Sequence, residues 1–186
     1  MIGFALCGSF CNMDNAFSQL IKITESGEDV IPIVSYNVLS TDTRFISAND
    51  NISRIEKQCG RKVISTLEDA EPLGPKIKLD VLCICPCTGN TLAKLASGIS
   101  DTPVTLAAKA HMRNDRPLVI ALASNDSLSG NAENLGRMLA RRNVFFVPMR
   151  QDDAFKKPRS LVCDFERLWE TAEQAKKGIQ VQPVLF

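Results

Sequence analysis

The 186-residue chain has one histidine, one tryptophan and one tyrosine, and no surplus of either charge: 22 Lys+Arg against 21 Asp+Glu leave +1. A protein that grips nucleic acid by neutralising phosphates needs a basic excess, so that class is excluded. No apolar run reaches the ~18 residues of a membrane span, and no membrane partner is expected. The start, Met1-Ile2-Gly3-Phe4-Ala5-Leu6-Cys7, lacks the basic stretch and apolar core of a secretory signal. A dinucleotide fingerprint is missing, because Gly3 and Gly8 are too far apart for its first glycine pair and no third glycine follows. A Walker loop is missing too. The seven cysteines are an odd number, and Cys83, Cys85 and Cys87 share one apolar run with no His or Cys partner at zinc spacing. A secreted disulfide framework is even-numbered and loop-based, so a reducing, cytoplasmic setting fits better. No metal is expected, and the three clustered cysteines read as small buried hydrophobes.

What is present is an ordinary globular composition, 45% hydrophobic and 23% charged. At roughly 150 residues per domain, residues 1–186 read as a single domain. Short apolar runs alternate with amphipathic stretches. Strands are expected at Ile2–Cys7, Asp29–Ser35 (an edge or bulge, given Pro32), Lys62–Ser65, Leu79–Cys85, Pro117–Ala123 and Val144–Val147. Pro86 is expected to stop the Leu79–Cys85 strand, whose continuous apolar pattern suits a central parallel position. Helices are expected around Phe17–Ile23, then at Asn51–Cys59, Asn90–Ser97, Val104–Met112, Ala132–Arg142 and Asp164–Lys177. Residues 36–50 and 68–75 read as loops, and the tail from Ile179 to Phe186 as an extended segment packing on the core or on a partner. Strands separated by helical segments imply right-handed crossovers. The fold class is therefore α/β: a three-layer sandwich with a parallel sheet of flavodoxin-like or Rossmann-type topology.

Ligands of such sheets bind beyond the carboxyl ends of the strands, at a switch point. The segments there are Gly8-Ser9-Phe10, Ser35-Tyr36-Asn37, Pro86-Cys87-Thr88-Gly89-Asn90-Thr91 and Ser124-Asn125-Asp126. Hydroxyls and amides beside a helix start can cradle a phosphate without a lysine, which suits a mononucleotide such as FMN; the same residues are also common turn formers.

The stretch PCTGNTLAKLASGISD (86–101) resembles the "PASANT" motif of the FMN-binding flavoprotein family, which includes cysteine decarboxylases and flavin prenyltransferases. Pro86, Thr88, Asn90, Thr91, Ala93, Lys94, Ala96, Gly98 and Asp101 stand in matching places. Gly8-Ser9 resembles the family's first loop, Ser35 its strand-two serine, and residues 121–148 its P-x-M-N block and following helix. The resemblance implies FMN held by Gly8, Ser9, Ser35, Thr88, Gly89, Asn90 and Thr91. STDTRF (40–45), AEPLGPK (70–76), the 104–114 stretch, SNDSL (124–128) and FFVPMRQDDAFKKP (145–158) resemble one branch of that family. Its members are the flavoprotein-like subunits of a dipicolinate-forming enzyme of endospore formers. That resemblance implies a homo-oligomer working with an A subunit that carries NAD(P), in the mother-cell cytoplasm, to oxidise a dihydropyridine dicarboxylate.

The departures narrow the chemistry. The decarboxylases place a histidine after strand two, where this chain has Asp42-Thr43-Arg44; its only histidine, His111, lies elsewhere and reads as a surface or interface residue. The prenyltransferase arginine is replaced by Ala123. The catalytic candidates are Asn90, Arg44 and Asn125. Asn90 either bonds substrate or flavin or caps its helix. Arg44 suits bidentate recognition of a carboxylate, although many surface arginines are merely solvated, and Asn125 is similar. Two other readings stay open: a flavin-dependent decarboxylase of a cysteine-like carboxylate, and a non-catalytic scaffold subunit.

Overall fold

The structure, a computed structural model, describes residues 1–186. Its strands are β1 (Ile2–Leu6), β2 (Val30–Val34), β3 (Val81–Cys87), β4 (Leu118–Ser124), β5 (Val144–Phe146), β6 (Met149–Asp153) and β7 (Lys157–Cys163). Its helices are α1 (Met13–Glu25), α2 (Tyr36–Ser40), α3 (Ala48–Cys59), α4 (Leu67–Ala70), α5 (Gly89–Ala96), α6 (Pro103–Met112), α7 (Ala132–Leu139) and α8 (Leu168–Ala175). The order β2-β1-β3-β4, with β5 on the outer edge of β4, is parallel throughout. This 2-1-3-4-5 arrangement is flavodoxin-like, with its switch point between β1 and β3. Helices α1 and α8 cover one face and α5, α6 and α7 the other, giving the expected three layers.

The central strands show why the sheet forms. All residues of β1, β2 and β3 are buried, the mark of strands covered on both sides. Helix α1 buries Met13, Ala16, Leu20 and Ile23 at helical spacing. Helix α6 starts on a reciprocal capping pair, Thr102 and Thr105, with Pro103 in its first turn.

Several expectations are corrected. The sheet is mixed, because β6 and β7 form an antiparallel hairpin that joins the end of β4 through Ala123–Val162 and Ser124–Leu161. Residues 36–50 contain α2 and the start of α3: Ser35 accepts from the Val38 amide, and Ser47 from that of Asp50, so polar residues that resemble a loop are helix caps. Residues 68–75 begin within the short α4 for the same reason, with Thr66 as its cap. Lys62–Ser65 contributes only an isolated bridge, Ile64 to Ile33. The Ile64 amide donates to the Pro32 carbonyl, which puts Pro32 on the edge strand, as its missing N–H requires. Pro86 does not stop β3; the register with β4 shifts between Ile84 and Cys87, and such an irregularity accommodates a proline that cannot donate. The C-terminal tail, expected on the core or on a partner, packs on its own sheet, with Leu185 bridged to Met149 and the Phe186 amide donating to the Met149 carbonyl.

All seven cysteines are free. Burial pushes the Cys7 thiol up to about 11 and that of Cys83 to about 12, so both are inert neutral groups. No group of residues could hold a metal ion, and no helix is long and apolar enough to cross a membrane.

His111 is fully buried, contrary to the surface position expected of it. Its Nε2–H donates to the Pro117 carbonyl at 2.8 Å, while Nδ1 has no partner. Burial holds the imidazole below its ordinary value of about 6.5, despite the Pro117 bond. Protonation therefore favours the unfolded chain: this contribution to stability is intact above pH ~6.5 and is lost as pH falls toward the depressed folded value. Thermal melts from pH 7.5 to 5 should show a decline that His111→Gln flattens; an equal decline in both proteins would contradict the assignment.

Candidate functional site

Beyond the carboxyl ends of β1, β3 and β4 lies a cleft of about 780 Å³, within the range of small-molecule sites. It is lined by Gly8 and Ser9 after β1, Thr88 and Gly89 after β3, Asn125 and Asp126 after β4, and Arg44 with Phe45. The hairpin adds Asp152, Lys157 and Ser160 as a further wall. The cleft thus opens at the switch point between β1 and β3.

The three catalytic candidates meet here. Arg44, Asn90 and Asn125 all line the cleft and are exposed. Asn90 is not the helix cap: Thr88 is, accepting from the Thr91 amide at 3.3 Å. The side chains of Asn90 and Asn125 make no hydrogen bond within the chain, and Arg44 forms no ion pair, its guanidinium lying 4.7 Å from the Phe45 ring centroid. Polar side chains that the fold does not use are free to meet a ligand.

The expected cofactor residues divide. Gly8, Ser9, Thr88, Gly89 and Asn90 line the cleft; Ser35 and Thr91 do not. Thr91 is buried, and its Oγ donates to the Cys7 sulfur at 3.3 Å, tying α5 to the end of β1. The Thr88 hydroxyl donates to Thr91 Oγ at 3.1 Å, and Ser35 caps α2. Ser35 lies beside the end of β1, its amide donating to the Leu6 carbonyl at 3.0 Å. With those hydroxyls turned inward, the free donors are backbone amides: Gly89 and Asn90 are the first two residues of α5 and have no partner one turn earlier. Those amides, Ser9 and the Asn90 carboxamide fit a planar, anionic, hydrogen-bonding cofactor such as FMN.

Behind Gly89 the packing is close. A Cβ there would lie 2.5 Å from Ser124 Oγ and 2.8 Å from both Asn131 Nδ2 and Asp126 Oδ1. The Ser124 hydroxyl, donating at 2.6 Å, and then Asn131 hold the Asp126 carboxyl below the usual carboxylate range, against the opposing pull of burial. The strand-end rule places Asp126 beside Asn125 in the loop after β4, but sequence reasoning gave it no role. It also missed Asp152 and Lys157, bridged at 2.5 Å, because the hairpin that carries them was not expected. The cleft contains no histidine.

The sequence profile of a family described as Flavoprotein matches residues 5–173. The chain belongs to the flavoprotein family. Among its relatives, the dipicolinate synthase B subunit of Bacillus subtilis (strain 168) is 44% identical over 184 residues, covering 99% of this chain and 92% of that protein. The crystal structure of the dipicolinate synthase B subunit from Bacillus halodurans C superposes with a TM-score of 0.91 at 39% identity, covering 100% of this chain and 95% of the other. An FMN-dependent cysteine decarboxylase shares the fold, with a TM-score of 0.69 at 22% identity over 94% of this chain and 95% of its own. A flavoprotein cleft without a histidine lacks the residue that the decarboxylase reading required.

Proposed function

We propose that this chain is the flavoprotein-like B subunit of a dipicolinate synthase, oxidising a dihydropyridine dicarboxylate to dipicolinate together with an NAD(P)-binding A subunit. The observation that carries this reading is the convergence of Arg44, Asn90 and Asn125, each unused by the fold, on one cleft at the switch point. The full-length likeness to a B subunit supports it. In this reading the Arg44 guanidinium pairs with one substrate carboxylate as a two-pronged donor. The Asn90 and Asn125 carboxamides donate to the other carboxylate and fix the ring plane. The oxidation removes a hydride and a proton, and aromatisation drives it, so the residues of this chain act chiefly by orientation. NAD(P), held by the A subunit, would supply the hydride acceptor. FMN, held by the Gly8-Ser9 turn and the start of α5, would supply two-electron redox chemistry when bound.

The reading places the complex in the cytoplasm of a sporulating mother cell and includes self-association, for which the exposed Tyr36, Leu39, Phe155 and Phe186 leave apolar surface. It is tested by co-purifying the chain with the candidate A subunit and measuring dipicolinate formation with and without it. Formation should require both chains, and the same preparation should acquire a bound flavin spectrum on titration with FMN. Full activity of the A subunit alone would overturn the reading; no flavin bound at excess FMN would remove the cofactor from it.

A further inference from the structure

One carboxylate in the cleft takes no part in the chemistry proposed so far. Asp126 lines the cleft beside Gly89, and both of its oxygens accept hydrogen bonds from neighbouring side chains. Oδ1 accepts from Ser124 Oγ at 2.6 Å and from Asn131 Nδ2 at 2.9 Å, and Oδ2 accepts from Asn131 Nδ2 at 2.8 Å. Asn131 is itself buried and fixed, its Oδ1 accepting from Asn134 Nδ2 at 2.9 Å. No lysine or arginine forms an ion pair with Asp126, whereas Asp152, which also lines the cleft, is bridged to Lys157. A turn brace needs acceptors but not a net charge. An oriented carboxylate with no counter-ion and spare lone pairs, in a cleft that also offers the unpaired Arg44, is matched by a ligand carrying both a carboxylate and a positively charged N–H.

We propose that Asp126 is the specificity-determining acceptor of the cleft, taking a hydrogen bond from the protonated ring nitrogen of a cyclic dicarboxylate whose carboxylates go to Arg44 and the carboxamides. This rests on the dicarboxylate reading of the site and extends it. A carbocyclic diacid of the same shape carries the same two carboxylates but leaves Asp126 unmatched beside a doubly negative ligand. The cleft therefore rejects it by leaving its own charge unpaired.

The test compares cis-piperidine-2,6-dicarboxylate with cis-cyclohexane-1,3-dicarboxylate, by calorimetric titration of the full chain. The wild-type protein should favour the piperidine acid by roughly 10- to 100-fold, the ratio that one charge-assisted hydrogen bond carries. Asp126→Asn, confirmed as folded by its thermal melt, should bring that ratio close to one without weakening the carbocyclic acid. Arg44→Ala should weaken both acids alike and preserve the ratio. Equal binding of the two acids by the wild-type protein, a measurement that needs no variant, overturns the role of Asp126 and leaves the dicarboxylate reading standing. So does a preference that survives Asp126→Asn. Failure of both acids to bind overturns the dicarboxylate reading and this inference with it.

Discussion

Gly89→Ala is expected to destabilise the protein by about 1–3 kcal/mol, the usual cost of forcing an extra carbon into close packing, and to weaken any ligand held at the start of α5. The added carbon would fall 2.5 Å from Ser124 Oγ and 2.8 Å from Asn131 Nδ2 and Asp126 Oδ1, closer than real contacts allow. Those atoms cannot yield independently, because Ser124 and Asn131 both donate to Asp126. Moving one breaks a hydrogen bond at a partly buried carboxylate; moving all three displaces the loop after β4 and the Asn131 cap position of α7. Gly136, whose added Cβ would meet nothing, is the control: alanine there should be neutral or slightly stabilising, since glycine is a poor helix former. Urea unfolding of the two variants measures the contrast. Wild-type stability in Gly89→Ala would show that the loop moves freely and does not form a rigid wall of the cleft.

The layers and the parallel core were legible because β1, β3 and β4 are short apolar runs bounded by turn residues, and a doubly covered strand has no other way to look. The strand-end rule brought Gly8, Thr88, Asn90 and Asn125 to one cleft for the same reason: it follows from topology, without regard to side-chain detail. What escaped depends on contacts that pattern does not encode. In β6 only Met149 is buried, so its sequence, MRQDD, carries no apolar alternation and is a strand only because β7 pairs with it. Serine and threonine serve both phosphates and helix starts, so pattern does not show that Ser35 accepts from the Val38 amide or that Thr91 donates to the Cys7 sulfur. His111 looked like a surface residue because a lone histidine at a helix end carries no sign of the Pro117 carbonyl that receives it.

Replacing Arg44 and Asn90 together should remove most of the activity with almost no change in the fold. Neither side chain has a hydrogen-bonded or ion-paired partner within the chain, and both are exposed, so their truncation leaves no buried group unsatisfied. The Phe45 ring loses a cation stacked over it, a contact worth about 0.5–1 kcal/mol at an exposed site. In the substrate complex, by contrast, each side chain is assigned a charge-assisted bond, worth about 1.5–3 kcal/mol; two such bonds correspond to a loss of at least about 100-fold. Turnover by the assembled two-subunit enzyme carrying Arg44→Ala and Asn90→Ala is therefore the most direct measurement. A fall of about 100-fold or more in kcat/KM, with assembly and melting temperature preserved, is the predicted result. Undiminished turnover by an intact complex would contradict it and leave this chain a scaffold for its partner.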